Sequence, residues 1–264
     1  MKYSGTKSFY DVLRLNKTKG MDIKMRAYMI QLQCMTNMHV GNGDVNYNVI
    51  DNEVERDPVT GYPTINPSGV KGALQEYFKQ KSVPEINSIF GAETEGRSEQ
   101  GMVKFLGADM LAIPGRSSGG EQPFYLISTK SAVLRINELA DTFIKQKLLP
   151  DIKRTNEEVE VEGFKPVGKI SVANRDIYIM EENQFRKIDL PVIARNKLDN
   201  GISKQLWYEE IVPHDSIFFF PVISEDGALL ERFIEVIRDQ VVQFGGNASI
   251  GYGLCKIKVY GGEA

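Results

Sequence analysis

His39-Val-Gly-Asn-Gly43, Val49-Ile-Asp51-Asn-Glu-Val-Glu-Arg56-Asp57-Pro58, Gly61-Tyr-Pro63 and Pro67-Ser68-Gly-Val-Lys71-Gly72-Ala-Leu74 follow one another between His39 and Phe78. Upstream, Tyr28, Ile30, Leu32 and Cys34 alternate as in a half-buried strand. Downstream, Val70, Ala73, Leu74, Tyr77 and Phe78 recur at helical spacing behind Ser68, which reads as an N-cap. A strand, a glycine-flanked loop with a carboxylate, and a helix start carrying Lys71 make the first β-α unit. Met102 to Ile113 reads as the strand that completes it, ended by Pro114-Gly115.

The far end repeats the order. Ser216–Ile223 is an apolar strand and Glu225-Asp226-Gly227 a turn. A helix follows with Leu229, Leu230, Phe233, Ile234, Ile237 and Val241 on one side, and then a strand in which Cys255, Ile257 and Val259 alternate with lysines. The pattern β-α-β … β-α-β predicts an α+β, ferredoxin-like (RRM-like) fold with large insertions. Residues 25–113 and 214–264 form the core of a single domain spanning 25–264, and 114–213 are inserted. The insertion holds a helix over Leu139–Leu149, ended by Pro150, and a β-rich stretch Val159–Met180 with turns at 166–168 and 174–176. In such a topology the first and last strands are antiparallel neighbours, which places Cys34 near Cys255 and both glycine loops at one edge.

Composition is that of an ordinary globular chain, with 42% hydrophobic and 25% charged residues and a net charge of −3. There is no stretch of roughly 18 apolar residues and no signal peptide, so neither a membrane span nor export is expected. Two cysteines supply neither a disulfide framework nor a zinc site, and point to free thiols in the cytoplasm. Charge is uneven: residues 1–26 carry +5 and the remainder −8. Residues 1–24 form a basic N-terminal extension. The acidic remainder argues against indiscriminate nucleic-acid binding by the isolated chain and leaves room for a local basic groove.

Several groups point to chemistry. Gly245-Gly-Asn-Ala-Ser-Ile-Gly-Tyr-Gly253 lets backbone N–H groups approach a phosphate; a helix C-cap and turn would need fewer glycines. Lys71 opposes the helix dipole unless an anion lies between them; a solvated lysine is the alternative. Asp51 can take a proton from a ribose 2′-hydroxyl, orient that hydroxyl or hold a divalent ion, and an Asx cap serves equally well. His39 is a candidate acid or a satisfied structural histidine. Glu209 and Glu210 bring further carboxylates or form a polar rim. Asp44, Asn46, Asn48, Asn52 and Glu55 match EF-hand positions by count, but Val49 stands where glycine is required, so the match is coincidental.

Taken together, the segments resemble the RAMP superfamily of CRISPR proteins, most closely the repeated backbone subunit of the type III-B (Cmr) effector complex. The resemblance spans roughly Arg26 to Gly253. Besides the stretches above it rests on Phe105-Leu-Gly-Ala-Asp109, Pro114-Gly-Arg116-Ser117, Leu190-Pro-Val-Ile-Ala-Arg195 and Leu206-Trp-Tyr-Glu-Glu210-Ile-Val-Pro213. The Arg195 and Trp207 segments favour this subunit over its type III-A counterpart. Asn66-Pro67 departs from the small residue usual there, and the 1–24 extension is longer than the family start.

The resemblance implies copies stacked head-to-tail on a CRISPR guide RNA alongside other Cmr subunits. It implies a thumb hairpin, placed within Val159–Met180, that splays the guide–target duplex, and cleavage of complementary target RNA at regular intervals. Asp51 falls on the catalytic aspartate, with dependence on a divalent metal, Mg2+ or Mn2+. RNA contacts are implied at Arg56, Ser68, Lys71, Arg195, Gly245, Gly246, Gly251 and Gly253. A non-catalytic guide-binding subunit and a guide-processing ribonuclease are the competing functions.

Overall fold

The computed structural model describes residues 25–41, 43, 50–94, 97–200 and 202–262. The N-terminal extension and the Asp44, Asn46 and Asn48 positions lie outside the described residues.

In chain order, β1 (Arg26–Cys34) leads through β2 (Thr64–Ile65) to α1 (Pro67–Gln80) and the short α2 (Ile86–Phe90). A small hairpin, β3 (Gly91–Thr94) and β4 (Arg97–Gln100), precedes β5 (Val103–Phe105) and β6 (Ala108–Gly119). Then come β7 (Phe124–Thr129), α3 (Lys130–Ile144), β8 (Glu160–Val161), β9 (Gly168–Val172), β10 (Arg175–Met180) and α4 (Glu182–Phe185). The strands β11 (Val192–Asp199) and β12 (Ile202–Glu210) form a separate pair. The chain closes with β13 (Ile217–Ser224), α5 (Gly227–Ile237), β14 (Val241–Gln243) and β15 (Leu254–Gly261).

Among the described residues eleven strands share one sheet, ordered β14-β15-β1-β13-β6-β7-β10-β9, with β2, β5 and β8 joining at its margins. β1 is antiparallel to both β13 and β15, and Cys34 pairs with Cys255 as the sequence leads one to expect. β1 is buried on both faces rather than one. Ile30 and Leu32 join Phe218 and Phe220 beneath α1 and α5. Met29 joins Phe219, Leu111 and Ile177 beneath α3. A strand covered on both sides reads as a nearly continuous apolar run, which is what β13 shows in Ile217-Phe-Phe-Phe220.

Several elements differ from their sequence reading. Asn66, not Ser68, is the N-cap of α1, and Pro67 takes the first helical position, where a missing N–H costs nothing. Ser68 is therefore inside the helix, and Lys71 is its fifth residue. The strand expected over Met102–Ile113 is broken at Leu106-Gly107, opposite Pro221, whose ring nitrogen has no proton to give the ladder. β6 does not stop at Pro114. Pairing with β13 ends at Ala112 and pairing with β8 begins at Ser117, so one side of the strand is open at the proline.

The helix expected over 139–149 is α3, one turn and more earlier. The Thr129 hydroxyl accepts from Ala132 N at 3.2 Å to start it, and Lys145, at φ 56°, ends it. Leu149 then returns to the helix through Asn137, whose side chain bonds both its N–H (2.8 Å) and its carbonyl (3.0 Å). Val241 is not on α5 but exposed in β14, so a strand separates that helix from the glycine loop. Finally, 159–180 is no free hairpin. β9 and β10 continue the main sheet through parallel pairing of β10 with β7. Between residues 114 and 213 the pair standing apart from the main sheet is β11–β12.

Candidate functional site

The site forms where the segment after β1 meets the glycine loop and the root of β11–β12. Met38 bridges Val212, the His39 carbonyl accepts from Gly246 N (2.8 Å), and the Asn37 carbonyl accepts from Gly253 N (2.8 Å). Two glycines make that approach possible. Gly245 and Gly253 sit at φ 77° and 74°, and a Cβ on them would lie 2.2 Å from the His39 carbonyl oxygen and 1.8 Å from that of Phe244. Gly251, also at positive φ, faces open space, and a Cβ on Gly246 would lie 3.9 Å from that His39 oxygen.

His39 is buried. Its Nδ1 lies 2.8 Å from the Glu210 carbonyl oxygen, which can only accept, so Nδ1 carries the proton. Nε2 is then turned toward Glu209, 3.8 Å from Oε1. Glu209 and Glu210 are both buried and both paired. Glu209 receives Arg195 Nε on one oxygen and Asn247 Nδ2 (2.8 Å) on the other, while the Arg195 guanidinium lies 4.6 Å over the Tyr252 ring. Glu210 receives Arg56 on one oxygen and Val54 N (3.1 Å) on the other. The Arg56–Glu210 pair ties the hairpin root to the 50s segment, the Arg195–Glu209 pair joins the two strands of the hairpin, and Asn247 and Tyr252 bring the glycine loop against it. A terminal nitrogen of Arg195 is buried with no partner among the described residues.

Asp51 differs. Its residue is exposed, and its Oδ2 accepts from Tyr208 N at 2.8 Å. The Tyr208 carbonyl in turn accepts from Asp51 N and Asn52 N, both at 3.1 Å, and Glu210 N donates to the Asn52 carbonyl at 2.9 Å. The segment thus lies along β12 like a short added strand, with the Asp51 carboxylate at its exposed end. Asp57 closes the next turn. Burial raises its pKa, but bonds from Thr60 N, the Thr60 hydroxyl and Val59 N prevail and hold it below the usual range.

Ser68 is exposed and Lys71 half-buried on α1, and no ion pair joins Lys71 to an acid among the described residues. Beside the hairpin root, a cavity of about 360 Å³ is lined by Arg56, Pro63, Phe185, Arg186, Ile188 and Leu190. No group of three or more His, Cys, Asp or Glu among the described residues could hold a metal ion. Asp51 offers one carboxylate, the amount a largely hydrated Mg2+ needs when substrate phosphates supply further oxygens. Sequence reasoning missed Asn247, Tyr252 and the Tyr208 backbone. Only Asn247 carried a signal, since asparagine tolerates the left-handed φ of 61° found there.

Residues 31–256 match the family model of the RAMP superfamily, and the chain belongs to that superfamily. Within it, the chain is similar to the CRISPR system Cmr endoribonuclease Cmr4 of Pyrococcus furiosus, 26% identical over an alignment of 286 positions, gaps included, that covers 88% of this chain and 95% of that protein. The fold also matches a chain of the type III-B Cmr-β complex bound to cognate target RNA, with a TM-score of 0.72 at 20% identity over 88% of this chain and 96% of that one. Oligomeric Cmr4 from Pyrococcus furiosus matches with a TM-score of 0.63 at 20% identity, over 91% and 100% of the two chains.

Proposed function

We propose that this chain is the repeated guide-RNA-binding backbone subunit of a type III-B CRISPR effector complex, and that it cleaves complementary target RNA through Asp51. One observation carries the catalytic part: of the three carboxylates gathered at the hairpin root, Glu209 and Glu210 are buried against arginines, and Asp51 alone is displayed at the surface. In this reading the core is a ferredoxin-like palm, supported by the antiparallel order β15-β1-β13-β6 with α1 and α5 as crossovers. The thumb is β11–β12, supported by its separation from the main sheet and its exposed Leu206 and Tyr208.

The partners are a CRISPR guide RNA, complementary target RNA, other Cmr subunits and further copies of the chain, in the cytoplasm. The similarity to Cmr4 supports them. No helix among the described residues is long and apolar enough to cross a membrane. Ser68, Lys71 and the glycine loop hold guide backbone. Arg56 and Arg195 act chiefly by anchoring Glu210 and Glu209.

For cleavage, a target nucleotide displaced from the A-form stack brings its 2′-oxygen in line with the adjacent phosphorus, and the 5′-oxygen departs. Asp51, held by Tyr208 N, accepts the proton of that hydroxyl. Asp51 is also the residue that would hold a hydrated Mg2+ or Mn2+, whose chemistry is to neutralise charge on the phosphate.

The test is a cleavage ladder on labelled target RNA with a reconstituted complex. Asp51→Ala and Asp51→Asn should both assemble and protect guide RNA while cutting falls by about 100-fold or more. The Tyr208 N–Asp51 bond favours a second reading, in which Asp51 only caps its loop and the subunit is structural. Asp51→Asn keeps an acceptor for Tyr208 N, so full cutting by that variant would establish the structural reading instead.

A further inference from the structure

Two thiols take no part in the site yet lie beneath it. Cys34 ends β1 and Cys255 is the second residue of β15, and they are the chain's only cysteines. Both are fully buried, they are register partners, and their Sγ atoms are 3.8 Å apart. The Cys34 N–H is spent on the carbonyl of Ser216, the residue before β13, while Met35 N bonds Leu254 O on the β15 side. Cys34 and Cys255 are therefore a non-hydrogen-bonded antiparallel pair. Such pairs hold their Cα atoms about 4.5 Å apart, with side chains on the same face. That separation falls within the range of about 4.4–6.8 Å that a disulfide spans.

We propose that Cys34 and Cys255 are an oxidative modification site, closing to an intrachain cross-strand disulfide when the chain meets a two-electron thiol oxidant such as a peroxide. The bond braces the edge where the site's two loops meet. The chemistry balances without help from the protein. One thiolate takes an oxygen from the peroxide to become a sulfenic acid, releasing water once the proton is supplied. The second sulfur then attacks the first and a second water leaves. Two S–H bonds are lost, one S–S bond forms, and the peroxide is reduced by two electrons to two waters.

The location gives the bond its effect. Three residues beyond Cys34, the Asn37 carbonyl takes Gly253 N, and two further on the His39 carbonyl takes Gly246 N. A covalent tie at 34–255 fixes the strand ends from which both loops spring. Access is through the sheet margin, where β14 contributes only three residues and must open for an oxidant to enter. The Cys34 thiol is pushed well above its ordinary pKa, first by its hydrogen bond with Cys255 and then by burial, so closure is slow in the resting fold.

The experiment uses the full chain, reduced, then treated with hydrogen peroxide under native conditions, denatured, alkylated with iodoacetamide and weighed. The expected product is a monomer lighter by two hydrogens that takes up no alkyl group. Its amide exchange at Gly246 and Gly253 should be slower by about 10-fold or more. Its Tm should be higher by roughly 5–15 °C, because a closed loop this long restricts the unfolded chain. Cys34→Ser and Cys255→Ser should fold with an unchanged far-UV spectrum and show neither effect. Two alkylated thiols after treatment, or a disulfide-linked dimer, would overturn the proposed bond. An intrachain disulfide with unchanged exchange and Tm would overturn its bracing role.

Discussion

Two hairpins between residues 114 and 213 turn alike and are opposite in fate. Gly168–Met180 turns at Ala173-Asn174 and Val192–Glu210 at Asn200, each with positive φ at the turn. The first gains β7 as a parallel neighbour and buries Ile170, Ile177 and Ile179 under the sheet. The second has no strand beside its length among the described residues and leaves Ile202 63% and Leu206 56% exposed. Its attachment is at the root, through the ion pair Arg56–Glu210, the bonds of Asp51 and Asn52 to Tyr208, and the contacts of the charged Glu209 and Arg195 with Asn247 and Tyr252. Alternating residues specify a pair of strands; what the pair packs against is decided by whether a neighbouring edge offers unpaired donors and acceptors. One hairpin is held along its whole length by apolar contact, the other at one end by charge.

That contrast can be broken most severely at the charged root. Arg195→Ala strands the buried Glu209 carboxylate and should cost about 3–5 kcal/mol in urea unfolding. Exchange protection should be lost first in 192–210, and a cost under about 1 kcal/mol would show that the root is held some other way. Next, Ile177→Ala in the sheet-bound hairpin should cost about 2–4 kcal/mol, whereas Leu206→Ala should stay within about 0.5 kcal/mol. Equal costs for the two would mean that the second hairpin has an apolar partner after all.

The smallest effect concerns acid. Asp176 in β10 is held below its ordinary carboxylate pKa of 3.8, first by the Lys169 ammonium and then by the Ser171 hydroxyl. A depressed carboxylate stabilises the fold above its unfolded pKa, and that contribution fades as pH falls through the folded value. Loosening of 168–180 should therefore begin below pH about 4. Lys169→Met should move its midpoint upward by a few tenths of a pH unit or more, seen as fluorescence or exchange change confined to that hairpin.

Much of the core was legible because local pattern and tertiary role agree there. Helical spacing at 70–78 found α1, and the two β-α-β runs led to the neighbouring of β1 and β15. Where reading failed, a distant partner was responsible. Pro114 looks like a stop until the open side of β6 is known, and Leu148-Leu149 looks helical until Asn137 is seen holding the chain outside the helix. In the site, Asp51 and the glycine loop stood out by residue type. That Glu209 and Glu210 lie against arginines 14 and 154 residues away could not be read from spacing.

The crowding at Gly245 and Gly253 also bears on how such a chain can change over generations. Any replacement of either glycine brings a Cβ, and there it falls on a carbonyl oxygen. Both positions are closed to neutral drift, and no compensating side-chain change elsewhere can reopen them, because the obstacle is backbone. Gly43, Gly61, Gly163 and Gly251 have open space and only strained φ against them. A lineage could lose any of those four and recover, but a chain lacking glycine at 245 or 253 has already given up this meeting of the two loops.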